Sequence, residues 1–386
     1  EMQSDGFSSD SVTYTSLLKA CGSIPAIKKG RLIHSEIMNK GLLESNKHVV
    51  LSNALVDMYA KFGVLIEAKH VLCKMPTRNV ATWNALITGY VRLGQDEEAL
   101  NCFECMKNEG IAPNSITFTC ILKVCGRMRK LCMGEEVHDE IMAKRLLKDD
   151  DVRLGNALVD MYARCGCLVK ARKALSDLGS TRNIVSWNAL ISGYLQQCRA
   201  EEALDCLESM RQDGILPDEI TFTCVLKACG SMGAFDKGKE IHDEIMKHNL
   251  LEKNVVIATA LVDMYAKCGV LGKAQQVFDE LVVHDVACWT ALIAGYAQQG
   301  HGEEAVNCFE KMQKAGVVPD APTFLCILNA CSHSGLVDKG EAYYMEMTEK
   351  YGLTPGMDHH ACMAGLYGRA AHFEKAVEVI KRIPSD

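Results

Sequence analysis

Trp83-Asn84-Ala85-Leu86-Ile87 returns as Trp187-Asn188-Ala189-Leu190-Ile191 and again as Trp289-Thr290-Ala291-Leu292-Ile293. Each long period between these copies contains further related blocks of about 35 residues. Self-similarity with a period of this size predicts a solenoid, in which every supersecondary unit packs on its neighbours. We therefore expect the functional residues at positions that recur from repeat to repeat rather than in a single pocket.

The composition favours a packed helical array without a strongly basic surface. Hydrophobic residues make up 48% of the chain, and only eight residues are proline. No apolar run approaches the roughly 18 residues of a membrane span, so we expect no membrane association. The formal net charge of −7 is unlike that of a typical duplex binder and argues against DNA. Either the partner is not a nucleic acid, or affinity comes from base contacts with only local basic residues.

The nineteen cysteines are predicted to be structural thiols in a reducing compartment, because most of them recur at fixed positions of the repeats. Three recurring sites contain most of them: Cys21, Cys125, Cys229 and Cys331; Cys120, Cys224 and Cys326; Cys102, Cys206 and Cys308.

Residues 184–218 illustrate the local structure that each repeat predicts. Apolar residues from Trp187 to Tyr194 follow the i, i+3, i+4, i+7 spacing of one helix face, and those from Ala203 to Met210 repeat it. Gly214 follows the second helix as a left-handed cap, and Pro217 prevents its continuation. Each repeat is therefore a helical hairpin whose apolar faces need neighbours.

The apolar frame divides the chain into eleven repeats, and residues 1–10 resemble the tail of a preceding one, so we expect a longer parent protein. Repeat lengths cycle through a standard, a long and a short class. The predicted repeats are 11–48, 49–79, 80–114, 115–151, 152–183, 184–218, 219–254, 255–285, 286–320, 321–356 and 357–386.

This pattern resembles the pentatricopeptide repeat proteins, and specifically the subclass with alternating standard, long and short repeats. Long repeats have Thr-Phe-Thr-Cys-Val-Leu-Lys-Ala-Cys-Gly at 221–230, and short repeats have Ala-Leu-Val-Asp-Met-Tyr-Ala-Lys-Cys-Gly at 260–269. The resemblance implies an all-α, right-handed superhelical solenoid of helix-turn-helix repeats. It also implies binding of single-stranded RNA at about one base per repeat, in a mitochondrion or chloroplast.

In this family the fifth and the last residue of a repeat recognise the base edge. The resemblance places that role on Asn53 with Asn79, Asn84 with Asn114, Asn156 with Asn183, Asn188 with Asp218, Thr259 with Asp285 and Thr290 with Asp320. In the long repeats the matching pairs are Thr119 with Asp151 and Thr223 with Asn254. If long repeats follow the same rule, the resemblance implies guanine for Thr with Asp and adenine for Thr with Asn. Thr15 with His48 and Leu325 with Gly356 match no pattern.

The resemblance also implies which bases the pairs prefer. Asn with Asp favours uracil, Asn with Asn a pyrimidine, and Thr with Asp guanine. The repeats from 49 to 320 then predict 5′-Y-Y-x-Y-U-x-G-G-3′, where x marks a long repeat, and the polarity is that of the family. The alternative for any single repeat is that these polar residues only cap a helix.

Two further sets of residues match the family pattern. The second residue of a repeat should sandwich the base, an apolar contact that Val50, Ile116, Val185, Ile220 and Val256 could make. Core packing is the alternative for these five. Ala81 and Ala287 are small, and Arg153, Pro322 and Asp358 depart from the pattern. Cations at the thirteenth position of the short repeats are candidate phosphate contacts or complements to the helix dipole: Lys61, Arg164, Lys267 and Arg369.

The tryptophans at 83, 187 and 289 are predicted to lie in the core.

Two patterns resemble metal sites, and we expect neither to bind a metal. The H-x-E of deaminase zinc sites recurs at His34, His138 and His242, but inside the predicted second helix of long repeats, and the C-x-x-C from Cys102 to Cys105 lacks its preceding proline. His359, His360 and Cys362 are too close together to surround an ion. We therefore predict no cofactor, no metal and no enzyme activity here; any deaminase would lie in a missing C-terminal domain or a partner.

The sequence thus predicts the recognition array of an organellar factor for C-to-U RNA editing or RNA processing, with RNA and other editing or processing proteins as partners. The alternative is a scaffold subunit of an organellar ribonucleoprotein such as a ribosome, which the net charge of −7 keeps open. A tetratricopeptide-like peptide binder would lack the restriction to Asn or Thr at the fifth position.

Overall fold

The computed structural model describes residues 10–24, 26–43, 48–147, 152–248, 250–251, 254–281 and 283–381. These residues form 22 α-helices and contain no β-strand. Three predicted parts lie outside the described residues: residues 1–9 of the predicted tail (1–10), the predicted base-recognition residue Asp151, and the end of the last repeat (382–386).

The odd-numbered helices are 13 or 14 residues long, and each begins at the first residue of a sequence repeat. They are α1 (Ser11–Ser23), α3 (Val49–Lys61), α5 (Val80–Arg92), α7 (Ser115–Met128), α9 (Val152–Arg164), α11 (Ile184–Gln196), α13 (Glu219–Met232), α15 (Val255–Lys267), α17 (Val286–Gln298), α19 (Ala321–Ser334) and α21 (Met357–Arg369).

The even-numbered helices complete the hairpins and are 9 to 13 residues long. They are α2 (Ile27–Asn39), α4 (Leu65–Lys74), α6 (Asp96–Asn108), α8 (Leu131–Ala143), α10 (Leu168–Asp177), α12 (Ala200–Gln212), α14 (Phe235–Lys247), α16 (Leu271–Asp279), α18 (Gly302–Lys314), α20 (Val337–Glu349) and α22 (Phe373–Lys381).

Local sequence explains where these helices begin and end. Asn79, Asn114 and Asp320 are N-caps whose side-chain oxygens accept the N–H three residues later, which satisfies a donor that the helix itself cannot use. Gly214 follows α12 with φ +73°, as predicted for a left-handed cap.

The chain divides into two compact halves, an N-terminal half ending at Gln196 and a C-terminal half beginning at Gln197. Within each half, successive odd-numbered helices pack side by side and form one layer, while the even-numbered helices pack behind them as a second layer. Stacking therefore buries the apolar face that each hairpin leaves open. Among the described helices, none has the length and apolar character needed to cross a membrane.

The core contains the residues that the apolar frame predicts. Trp83, Trp187 and Trp289 are at most 7% exposed, which confirms them as core residues rather than exposed stacking platforms. Of the three recurring cysteine sites, Cys224 and Cys326 are half-buried and the remaining members are buried. Burial raises the pKa of Cys102, Cys308 and Cys331 to about 12, which keeps these thiols protonated.

Glycines allow neighbouring helices to approach closely where standard repeats pack on short ones. A Cβ added at Gly295 of α17 would lie 2.5 Å from the Cβ of Ala266 in α15. Gly89 and Gly193 occupy the same position in their repeats, and a Cβ added at either of them would also overlap the preceding short repeat. The Gly-Tyr pair after each repeated Trp is therefore a packing requirement of the array.

Candidate nucleic-acid interface

Three grooves of similar make-up lie on the layer of odd-numbered helices. Each is lined by the first helices of a long, a short and a standard repeat in succession. The first groove (α1, α3 and α5) has a volume of about 570 Å³, and the second (α7, α9 and α11) about 480 Å³. Both belong to the N-terminal half; the third (α13, α15 and α17, about 630 Å³) belongs to the C-terminal half.

Most of the fifth and last residues singled out in the sequence line these grooves. The first groove is lined by Asn53, Asn84 and Asn114, the second by Thr119, Asn156 and Asn188, and the third by Thr223, Thr259, Asp285, Thr290 and Asp320. Asn188 lies in the N-terminal half and Asp218 in the C-terminal half, so their pairing stays a prediction.

The structure brings fifth and last residues into direct contact. The side-chain amide nitrogen of Asn84 donates to Oδ1 of Asn114 at 2.9 Å, and that of Asn53 donates to Oδ1 of Asn79 at 3.4 Å. Asn156 and Asn183 donate to each other's oxygens, at 3.3 and 3.2 Å. Two side chains about 30 residues apart in sequence therefore form one polar unit at the groove.

The last residue of a repeat is also the N-cap of the next helix, as the alternative interpretation held. Oδ1 of Asn114 accepts the backbone N–H of Thr117, and Oδ1 of Asp320 accepts that of Thr323. Asn183 makes the corresponding contact with Ser186, and Asp285 with Cys288. Because the cap uses one side-chain oxygen, the remaining polar atom of the residue is left for another partner.

The third residue of the following repeat takes part in these pairs, which the sequence reasoning missed. The hydroxyl of Thr117 lies 2.6 Å from Oδ1 of Asn84 and 3.1 Å from Oδ1 of Asn114. Thr82 lies 2.7 Å from Oδ1 of Asn53 and 2.9 Å from Oδ1 of Asn79. Both threonine side chains are fully buried. The signal that could have found them is the recurrence of Thr or Ser three residues after a polar cap.

Threonines at the fifth position behave differently according to the repeat class. In the standard repeat 286–320, the hydroxyl of Thr290 lies 2.7 Å from that of Thr323, which in turn lies 2.6 Å from Oδ1 of Asp320. Thr290 also donates to the carbonyl of Val286 in its own helix at 2.7 Å. In the long repeats, Thr119 and Thr223 make this same bond to the carbonyl four residues earlier, both at 2.7 Å, and contact no third-position hydroxyl. Thr259 of a short repeat is half-buried beside Cys288, the third residue of the following repeat. Cys288 has a thiol where Thr82 and Thr117 have a hydroxyl.

The apolar second residues are exposed at the start of their helices. Val50, Ile116, Val185, Ile220 and Val256 are between 54% and 67% exposed, so they are not core residues. Val50, Ile116, Val185 and Val256 line the grooves beside the polar pairs. An exposed aliphatic next to a polar pair is the arrangement that stacking against a base requires.

Cations concentrate in the first two grooves. The thirteenth-position residues Lys61, Arg164 and Lys267 line the three grooves in turn, and each pairs with an aspartate four residues earlier in its helix. Arg369, by contrast, donates to the carbonyl of Ser332 at 2.8 Å. The sequence reasoning missed lysines at the ninth position of long repeats, which also line the grooves: Lys19, Lys123 and Lys227.

The histidines that resemble metal ligands are engaged in contacts between repeats. Nδ1 of His34, His138 and His242 lies 2.8 Å from the hydroxyl of a tyrosine in the next short repeat. Burial lowers the pKa of all three imidazoles, which favours their neutral form. His359 accepts the N–H of Gly356 at 3.1 Å. The two imidazoles at 359 and 360 are buried.

Comparison with known proteins begins with the matching family models. The model described as PPR repeat family matches residues 78–127, 182–231 and 284–333. The model described as PPR repeat matches 50–80, 220–250, 256–286 and 322–351, and together the two cover more than half of the chain.

Two relatives from Arabidopsis thaliana match almost the whole chain. Pentatricopeptide repeat-containing protein At4g38010 is 38% identical, over 99% of this chain and 67% of its own length. Pentatricopeptide repeat-containing protein At1g06140, mitochondrial, is 36% identical, over 97% of this chain and 66% of its own length. The chain thus spans about two thirds of the length of these relatives.

Among solved structures, the crystal structure of pentatricopeptide repeat protein PPR10 from maize matches 98% of this chain and 64% of its own, with 21% identity and a TM-score of 0.57. PPR10 in complex with an 18-nt psaJ RNA element matches with 20% identity and a TM-score of 0.52, over 98% and 69%. This likeness concerns the fold and confirms the predicted all-α solenoid of hairpin repeats.

Proposed function

Because this chain belongs to the pentatricopeptide repeat family, we propose that it binds single-stranded RNA sequence-selectively along its grooves, at about one base per standard or short repeat. The observation that carries the proposal is the polar pair at the groove, such as Asn84 with Asn114 at 2.9 Å, flanked by an exposed aliphatic residue. A base stacked on Ile116 or its equivalents would present its hydrogen-bonding edge to such a pair.

The cap geometry supplies a chemical reason for the difference between Asn and Asp at the last position. In both cases one oxygen is held by the backbone N–H of the next helix, as at Asn114 and Asp320. An Asn then offers its amide donors to the base, whereas an Asp offers its second carboxylate oxygen as an acceptor. The two residues therefore select bases with different edges, in agreement with the assignments 5′-Y-Y-x-Y-U-x-G-G-3′.

The wider role that we propose is that of the recognition array of a factor for C-to-U editing or for RNA processing in a mitochondrion or chloroplast. The three-class cycle of repeat lengths supports the assignment to the subclass with standard, long and short repeats. The name of the relative labelled mitochondrial supports an organellar location. PPR10, which shares this fold, has been crystallised with an RNA element, and this supports RNA as the partner.

The test is a gel-shift titration of the chain against an RNA with the sequence 5′-YYxYUxGG-3′ and against a scrambled RNA of the same composition, at a stated salt concentration. We expect tighter binding to the matched RNA, because each wrong base forfeits contacts worth about 1–3 kcal/mol in good base recognition. Both RNAs must be unstructured, since the grooves would meet single-stranded bases.

Equal binding of the two RNAs would contradict sequence selectivity and leave only electrostatic association. No binding at all would favour the scaffold alternative, in which the chain is held in a ribonucleoprotein by protein contacts. Co-purification of RNA or protein with the full-length protein from organelles would then identify the partner.

A further inference from the structure

The side chains of Asn84, Asn114 and Thr117 form a closed hydrogen-bonded ring. Asn84 donates its amide to Oδ1 of Asn114 at 2.9 Å, and its own Oδ1 lies 2.6 Å from the Thr117 hydroxyl. The backbone N–H of Asn114 donates to that hydroxyl at 3.2 Å. The ring fixes the orientation of the Asn84 amide, because its oxygen faces the threonine and its nitrogen donates to the last residue of the repeat.

The same arrangement surrounds Thr82, but it fails where the third residue is not threonine. The hydroxyl of Ser186 donates to the carbonyl of Asn183 at 2.8 Å and forms no contact with Asn156. Asn183 then donates its amide to Asn156 and, at 3.3 Å, to the carbonyl of Thr181. The amide donors that Asn114 keeps for the groove are therefore used internally by Asn183.

Long repeats lack the hydroxyl altogether. The third residues of the repeats that follow them are Leu51, Leu154, Ile257 and His359, and these side chains are buried. His359 contacts the backbone of Gly356 and Ala321. The fifth-position threonines Thr119 and Thr223 of the long repeats donate to their own helices, as Thr290 does, but they have no third-position hydroxyl beside them. No hydroxyl at the third position is thus available to orient the fifth residue of a long repeat.

We propose that the third-position threonine of a repeat is a positioning residue for base recognition by the repeat before it. Thr82 and Thr117 hold the fifth-position amide so that its donor is directed away from the threonine. Thr323 contacts the Thr290 hydroxyl at 2.7 Å, and that hydroxyl also donates to the carbonyl of Val286 in its own helix. The inference rests on the proposed function and goes beyond it, because it predicts which repeats discriminate bases. Repeats followed by threonine discriminate most, the repeat followed by Ser186 less, and long repeats least.

The experiment measures base discrimination rather than affinity alone. Four RNAs that differ only at the base opposite repeat 80–114 are titrated against the parent chain and Thr117→Val, which keeps the shape and removes the hydroxyl. We expect the ratio of best to worst dissociation constant to fall about threefold to tenfold, the effect of one hydrogen bond. Discrimination at repeat 184–218 should stay as in the parent.

Ser186→Ala is the matched control, because it removes a buried third-position hydroxyl that contacts the cap residue but not the fifth residue. It should lower the midpoint of thermal unfolding as Thr117→Val does, while leaving discrimination at repeat 152–183 unchanged. Ser186→Thr should raise discrimination at that repeat, because the added methyl group restricts the side-chain rotamer.

The outcomes separate the inference from the proposed function. A parent chain that does not discriminate among RNAs overturns both. If the parent chain discriminates among RNAs and Thr117→Val leaves the ratio of dissociation constants unchanged, the inference alone is overturned. An equal loss of base discrimination at every repeat also overturns it, because that result would indicate a general structural defect. Should Thr117→Val not fold, Ser186→Thr decides, since an unchanged ratio at repeat 152–183 contradicts the positioning role.

Discussion

At the scale of single residues, one side chain performs two tasks. Asn114 caps α7 with its oxygen and contacts Asn84 with that same oxygen, and its amide nitrogen is the atom that we propose to contact a base. Helix capping and base recognition were alternatives when only the sequence was considered. The structure shows that capping fixes which atom of the last residue faces away from the helix.

Thr290→Asn should change the preferred base opposite repeat 286–320 from guanine toward uracil. The substituted amide would lie beside Thr323 as Asn84 lies beside Thr117, and Asp320 would keep its capping contact. Dissociation constants for four RNAs that differ at that base would measure the change. Asn84→Thr is the reciprocal control and should shift preference from a pyrimidine toward adenine; an unchanged order of preference in both variants would contradict the pairing.

At the scale of helices, the starts were predictable because their signals are local. A polar cap followed by an apolar frame fixes the beginning of α5 or α19 within a few residues of sequence. The role of Thr117 was not predictable, since its partner Asn84 is 33 residues away and belongs to another repeat. Ser186 shows why the residue type at the third position does not by itself predict the contact. Its side chain has a hydroxyl like that of Thr117, but this hydroxyl donates to the carbonyl of Asn183.

Gly295→Ala should destabilise the C-terminal half by about 1–3 kcal/mol, because the added methyl group would overlap Ala266 and force the two helices apart. Gly272→Ala is the matched control in α16, where nothing lies within 4 Å of the new Cβ. Its unfolding midpoint should stay unchanged or rise slightly, since alanine is the better helix former. Thermal unfolding followed by circular dichroism distinguishes the two, and an equal effect of both substitutions would refute the close-packing explanation.

At the scale of the whole molecule, the net charge of −7 conceals an uneven distribution. Three cations and one carboxylate line each of the first two grooves, including Lys123, Arg153 and Arg164 against Asp160 in the second. Two cations and three carboxylates line the third groove. Composition could predict the total charge but not this distribution, because it depends on which helix faces meet at a groove.

Lys123→Ala should weaken binding of every RNA by a similar factor, because an exposed lysine at the groove contacts phosphate rather than a base. The slope of log affinity against log salt concentration should fall by about 0.7, the value for one phosphate contact on a single strand. Lys170→Ala, which removes a lysine paired with Glu135 away from the grooves, is the control and should leave the slope unchanged. A change in base preference with Lys123→Ala would argue against a phosphate contact.

The succession of long, short and standard repeats in each groove has a consequence for how such an array can change length. Deleting residues 84–187 would join Trp83 to Asn188, and the junction would read as Trp-Asn-Ala-Leu-Ile, the original sequence. The long-short-standard order would continue unbroken across the join. Unequal recombination between the copies could therefore remove or add three repeats at a time without creating a foreign packing surface. The RNA site would shorten or lengthen as a block, and the neighbouring blocks would keep their specificity.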